Sequence, residues 1–175
     1  MVAFGCNKFG KLGVDKETLP FTHIPQKVNL PPCKQILCGD HSTTCLTDNG
    51  FVYSFGLNST GQLGLGNNEE CDSPQKIELL KDVEFIECGN NFTFCKTINN
   101  EIYSWGANYY GQLGLGNRDK QNTPILCSAL SNENIIDIKC GIILWMYSYI
   151  NINFKWRCII LWRQYTWTIR KRSQS

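Results

Sequence analysis

Short runs of apolar, β-branched and aromatic residues recur along most of this chain, separated by glycine and asparagine turns. VEFIECG, FTFCKT and EIYSWG are short runs rich in the β-branched and aromatic residues that strands favour. INNEIYSWG and LTDNGFVYSFG place Asn-Asn or Asn-Gly between adjacent strands, the chemistry a tight hairpin needs. QKIELL adds a further apolar run, so the pattern predicts units of about four strands with glycine-rich corners.

The units repeat. GQLGLGN occupies 61–67 and 111–117, and leftward extension gives FVYSFGLNSTGQLGLGN and EIYSWGANYYGQLGLGN. A weaker copy, VAFGCNKFGKLG, opens the chain. Gly5, Gly56 and Gly106 are spaced 51 and 50 apart, Pro25, Pro74 and Pro124 are spaced 49 and 50, and Cys38, Cys88 and Cys140, each followed by glycine, are spaced 50 and 52. A period of about 50 residues with strand-like contents implies modules that bury their faces against neighbouring copies. Gly61, Gly64 and Gly66 are expected at positive φ or at close approach, which glycine tolerates most cheaply.

The order of a hydrophobic strand, WG or FG, x-N, GQLGLG, a P-x-x-V/I segment and an I-x-CG strand resembles the repeat of the regulator of chromosome condensation family over residues 2–141. The resemblance implies an all-β fold: a partial β-propeller of about three four-stranded blades, with an aberrant tail. The resemblance implies a ring of seven blades, which at this size needs about 350 residues, so this chain supplies half at most. Residues 1–141 are read as the repeat region and 142–175 as a non-repeat tail. An open ring leaves sheet edges and an apolar side wall exposed, which predicts poor solubility or a need for a partner.

The tail has another character. Residues 142–175 hold four of the five tryptophans and four of the five arginines, and no glycine, proline or acid. Tryptophan is encoded only by TGG, which read from its second base begins a glycine codon. Trp156, Trp162 and Trp167 are spaced 6 and 5 apart, as are Gly50, Gly56 and Gly61. Codons allowed for residues 155–171, read in that frame, can spell NGDVLFFGDNTHGQLG, which agrees with residues 49–64 at ten of sixteen positions. The tail is therefore read as a fourth repeat translated out of frame, the slip falling between Gly141 and Lys155. A basic amphipathic segment is the alternative; the uncharged run from Gly141 to Phe154 is too short for a membrane anchor.

Charge follows the same division. Met1–Asp137 carries 10 basic and 15 acidic residues, whereas 138–175 carries 7 basic and none acidic. Neither nucleic acid nor membrane is expected as a partner. The ten cysteines form no CxxC, and the two histidines have no paired ligand spacing, so no metal or cofactor is expected. The cysteines are expected to be mostly small buried residues in a reducing cytoplasm or nucleus, Cys38, Cys45, Cys88 and Cys95 among them as core residues on neighbouring strands. His41, in CGDHSTT, is assigned a structural role at a strand start. Asp40, Asp48, Glu69, Glu70 and Asp72 are assigned to solvated loops.

No catalytic residue is identified. Tyr109 and Tyr110, where the preceding copy has Ser59 and Thr60, are the candidate partner contacts, with packing against a neighbouring blade as the competing role. The expected function is a protein–protein interaction module, without chemistry of its own. The resemblance offers an alternative: guanine-nucleotide exchange on a Ran-like small GTPase, which needs shape complementarity across many loops.

Overall fold

The computed structural model describes residues 1–131, 133 and 135–140, together with the backbone of two later strands, 150–154 and 157–161. β1 (Val2–Cys6) and β2 (Phe21–Lys27) pair as an antiparallel ribbon. Next comes a four-stranded meander of β3 (Cys33–Cys38), β4 (Ser42–Thr47), β5 (Val52–Gly56) and β6 (Cys71–Lys76). Its successor contains β7 (Val83–Cys88), β8 (Phe92–Thr97), β9 (Ile102–Gly106) and β10 (Gln121–Leu126), each starting 50 residues after its counterpart. A single helical turn, α1 (Ser128–Ser131), precedes β11 (Ile135–Cys140), against which β12 (Ile150–Phe154) and then β13 (Arg157–Leu161) pair.

These are blades of a propeller, and the core lies between them. One apolar cluster joins Leu46 and Val52 of the first complete blade to Ile86, Cys95 and Trp105 of the second. Another joins Phe92, Phe94, Ile102 and Leu113 of the second blade to Ile135 and Ile138 of β11. β7 touches both β3 and β11, so these first strands of successive blades lie side by side. All six residues of β4 and of β8 are buried. A strand covered on both faces loses the in–out alternation of a half-solvated sheet, which is why threonines and Lys96 are buried there; Lys96 keeps an ion pair to Glu84 at 2.7 Å.

The predicted hairpins are present. Gly50 and Asn100 occupy equivalent turn positions at φ 77° and 62°, and asparagine is among the few residues that tolerate this region.

Three details differ from the sequence reading. QKIELL is a strand only in its first two residues: β6 ends at Lys76, and Ile77 and Leu80 turn inward as core residues, the Leu80 N–H donating to the Ile77 carbonyl at 3.2 Å. Pro74, which has no N–H to give a ladder, lies in β6, paired with β5 alone through an irregular register. The opening copy supplies only β1 and β2, equivalents of the last two strands of a complete blade. Cys38 is exposed, whereas Cys45, Cys88 and Cys95 are buried as expected; Cys6 is also exposed, and Cys33, Cys71 and Cys140 are half-buried.

Beyond β11 only the backbone of β12 and β13 is described. The out-of-frame reading of 142–175 otherwise concerns residues outside the described ones.

Candidate functional site

The loop from β9 to β10 carries Tyr109 and Tyr110, and its shape is set by one buried side chain. Asn108 is fully buried. Its Nδ2 donates to the Asn117 carbonyl and Oδ1 at 3.1 Å and to the Asp119 carbonyl at 3.0 Å, while its Oδ1 accepts the Leu113 N–H at 3.0 Å. Both ends of the loop are thereby tied to one amide. Asn58 makes the same clasp on Leu63 and Asn67 one blade earlier, and Asn7 makes it on Leu12, Val14 and Leu19. Below the clasp, Ser104 Oγ donates to the Leu113 carbonyl at 2.8 Å, as Ser54 does to Leu63 at 2.6 Å.

Above the clasp, the Tyr110 N–H donates to Gln112 Oε1 at 3.0 Å. Tyr109 and Tyr110 are each 57% exposed. Large aromatic surface on a backbone fixed from both sides costs little entropy to immobilise, the property of an interface anchor. Ser59 and Thr60, in the equivalent loop, offer no such surface; Thr60 directs its N–H and hydroxyl to Gln62 Oε1 instead.

The glycine-rich loops also form the joint between blades. Gln62, in the first complete blade, accepts the Trp105 indole N–H on its carbonyl at 3.1 Å, and Trp105 is wholly buried. A Cβ at Gly64 would lie 2.8 Å from that indole nitrogen, and one at Gly61 would lie 2.5 Å from the Asn122 Cα. The earlier joint repeats this: a Cβ at Gly13 would lie 2.9 Å from the buried Phe55 ring, and one at Gly10 would lie 2.4 Å from the Asp72 Cα. Each loop is thus a socket that admits the aromatic and the outer strand of the following blade because it has no side chain there. This joint was not drawn from the sequence, although its signal was present: F or W before glycine in one repeat, GxLG in the one before.

Of the other residues singled out, His41, Glu70 and Asp72 lie at the first joint. His41 packs its ring against Phe9 at 5.1 Å, and its carbonyl accepts the Leu57 N–H at 2.9 Å beside the start of β4. Its Nε2 lies 3.8 Å from Asp40, and its Nδ1 is buried without a hydrogen-bond partner among the described residues. Asp40, Asp48, Glu69 and Glu70 are exposed and Asp72 is half-buried; Glu70 pairs with Lys16 across the first joint. Burial pushes the Cys45 thiol up to about 12 and those of Cys88 and Cys127 to about 11, and it raises Cys95 further still. Such thiols remain protonated and unreactive.

The profile of the regulator of chromosome condensation (RCC1) repeat matches residues 3–46, 49–95 and 99–142. The chain is 37% identical over 84 residues to the serine/threonine-protein kinase Nek9 of Mus musculus, a match covering 46% of this chain and 8% of the kinase. It is 39% identical over 87 residues to the secretion-regulating guanine nucleotide exchange factor of Bos taurus, covering 45% of this chain and 17% of that protein. It also superimposes on the yeast protein seen in the crystal structure of Kap60 bound to yeast RCC1 (Prp20), with a TM-score of 0.73 and 25% identity, over 80% of this chain and 36% of that one.

Proposed function

Since this chain belongs to the regulator of chromosome condensation repeat family, we propose that it acts as a protein–protein interaction module whose contact surface includes the β9–β10 loop. The observation that carries this reading is the exposed pair Tyr109 and Tyr110 on a loop held rigid by the buried Asn108 clasp. Anchors of this kind concentrate binding energy in a few residues. The chain supplies no catalytic step in this reading. Its protonated buried thiols suit a scaffold, and the nine described cysteines, all free, suit the cytoplasm or nucleus.

Affinity capture with the 175-residue chain tests it. Substituting both Tyr109→Ala and Tyr110→Ala reduces recovery of specific binders about tenfold or more, while Ser59→Ala with Thr60→Ala leaves it unchanged. Equal recovery by all three proteins overturns the assignment.

Guanine-nucleotide exchange on a Ran-like GTPase is the second reading, supported by the 39% identity to the bovine exchange factor. The match spans only 17% of that protein, and exchange requires complementarity over a large surface. Release of a fluorescent nucleotide from such a GTPase, accelerated by this chain alone, would establish it in place of the first reading. For residues 142–175 we retain the out-of-frame fourth repeat; genomic and transcript sequence across codons 140–172 decides it, a GQLG-coding frame supporting it and its absence refuting it.

A further inference from the structure

Pro74 and Pro124 stand at equivalent places in the two complete blades, and each follows a hydroxyl residue, Ser73 in SPQK and Thr123 in TPIL. The two hydroxyls meet different surroundings. Ser73 is exposed, and its Oγ meets neighbours on its own strand, accepting Gln75 Nε2 at 3.2 Å and lying 3.7 Å from Cys71 Sγ. Side chains along a strand alternate between its faces. Asp72 faces the preceding loop, its Cβ 2.4 Å from where a Cβ at Gly10 would lie, so Ser73 faces away from that loop. Thr123 is half-buried, its methyl 3.8 Å from a Cβ at Gly66 of the preceding blade, and Pro124 is buried.

The backbone at Ser73 is extended and loosely laddered. β6 pairs with β5 alone, and the register shifts between Cys71 and Gln75, so no Cα partner stands opposite 72–74. Pro74 has no N–H to give to a ladder. Lys76, three residues after Ser73, holds its Nζ 2.8 Å from Glu78 and 4.6 Å from the Phe51 ring centroid. Glu78 is exposed, and a surface pair of this kind holds its partners weakly, so the ammonium is free to exchange this acid for another. The blade that carries Ser73 is flanked on one side by the loop around Gly10 and on the other by the second complete blade, so the exposure of Ser73 depends on neither end of the chain.

We propose that Ser73 is a phosphorylation site for a proline-directed serine/threonine protein kinase that also reads a basic residue three positions on. The hydroxyl is exposed on a segment already extended, the next residue presents no N–H for the enzyme to desolvate, and the Lys76 ammonium meets acidic groups beside the kinase cleft. In the transfer, Ser73 Oγ attacks the γ-phosphorus of ATP, the bond from that phosphorus to the β-phosphate oxygen breaks, ADP leaves, and the hydroxyl proton passes to a carboxylate of the kinase. Thr123 is excluded by its cover and by Leu126, which stands where Lys76 does. The phosphate brings a charge of about −1.5 to −2 at pH 7 to a rim that already holds Glu69, Glu70 and Asp72. Modification therefore turns the outer edge of this blade strongly acidic. The site lies one blade away from Tyr109 and Tyr110, so failure of one reading leaves the other standing.

The test incubates the folded 175-residue chain with a purified cyclin-dependent kinase and radiolabelled ATP, and maps the product by mass spectrometry. Incorporation at Ser73 is expected, abolished by Ser73→Ala and unchanged by Thr123→Ala. Lys76→Ala is expected to slow the transfer about tenfold or more, as loss of a hydrogen bond to a charged group does, and Lys76→Arg to preserve it. Circular dichroism verifies the fold of each variant, an exposed position such as Ser73 being a poor site to unfold from. No incorporation into the folded chain, incorporation that survives Ser73→Ala, or transfer indifferent to Lys76→Ala would each overturn the proposal.

Discussion

The loops 58–67 and 108–117 share the sequence GQLGLGN and the same asparagine clasp, but their surroundings differ. Gly61 and Gly64 are buried beneath Asn122 and Trp105; Gly111 and Gly114 are half-exposed, with no such cover among the described residues. The internal hydrogen bonds and backbone angles are the same in both loops, which fits a shape set by each loop's own residues. The neighbour contributes burial, and the aromatic before glycine is the main means.

The largest expected effect separates Trp105 from Phe4, its register equivalent in the opening ribbon. Trp105→Ala removes a wholly buried indole and its hydrogen bond to Gln62 and is expected to cost about 3–5 kcal/mol, whereas Phe4→Ala, at an exposed equivalent, stays within about 0.5 kcal/mol. Urea unfolding measures both; similar losses would mean that Phe4 is already covered.

A smaller contrast isolates packing from backbone strain. Gly61→Ala and Gly111→Ala place a methyl at nearly identical positive φ, which costs each about 1 kcal/mol. Only the first drives that methyl into backbone, the Asn122 Cα at 2.5 Å, and it should lose about 3 kcal/mol in all. Equal losses in urea unfolding would show that the joint between the two complete blades yields freely.

The mildest effect comes from pH and compares the thiols. Burial lifts Cys88 from 9.0 to about 11 and Cys45 to about 12. Well below pH 9 these thiols are protonated in folded and unfolded chains alike, and stability does not change with pH on their account. As pH rises from 9 towards 11 the unfolded chain loses the protons first, so the folded state loses stability, and Cys88→Ala should flatten that decline. Cys45→Ala, which removes the thiol lifted to about 12, should flatten it as well.

Much of this was legible before the structure. Glycine positions, the Asn-Gly and Asn-Asn turns and the β-branched and aromatic strand runs act over a few residues, and each appeared where the pattern placed it. QKIELL misled because an apolar run reads alike whether it extends a strand or turns into the core. Its outcome rested on where β6 runs out of a partner. The Tyr109–Tyr110 loop was visible as a departure between copies, but the exposure of its side chains was not.

The chain's own sequence set the module, its period and the form of its glycine-rich loops, because those depend on local φ preferences and on hydrogen bonds that one asparagine can reach. Tertiary structure alone decided which copies of a shared motif are buried: Trp105 against Phe4, Gly64 against Gly114, Cys88 against Cys38. Burial is conferred by a neighbouring blade, and a repeat carries no local record of whether that neighbour is in place.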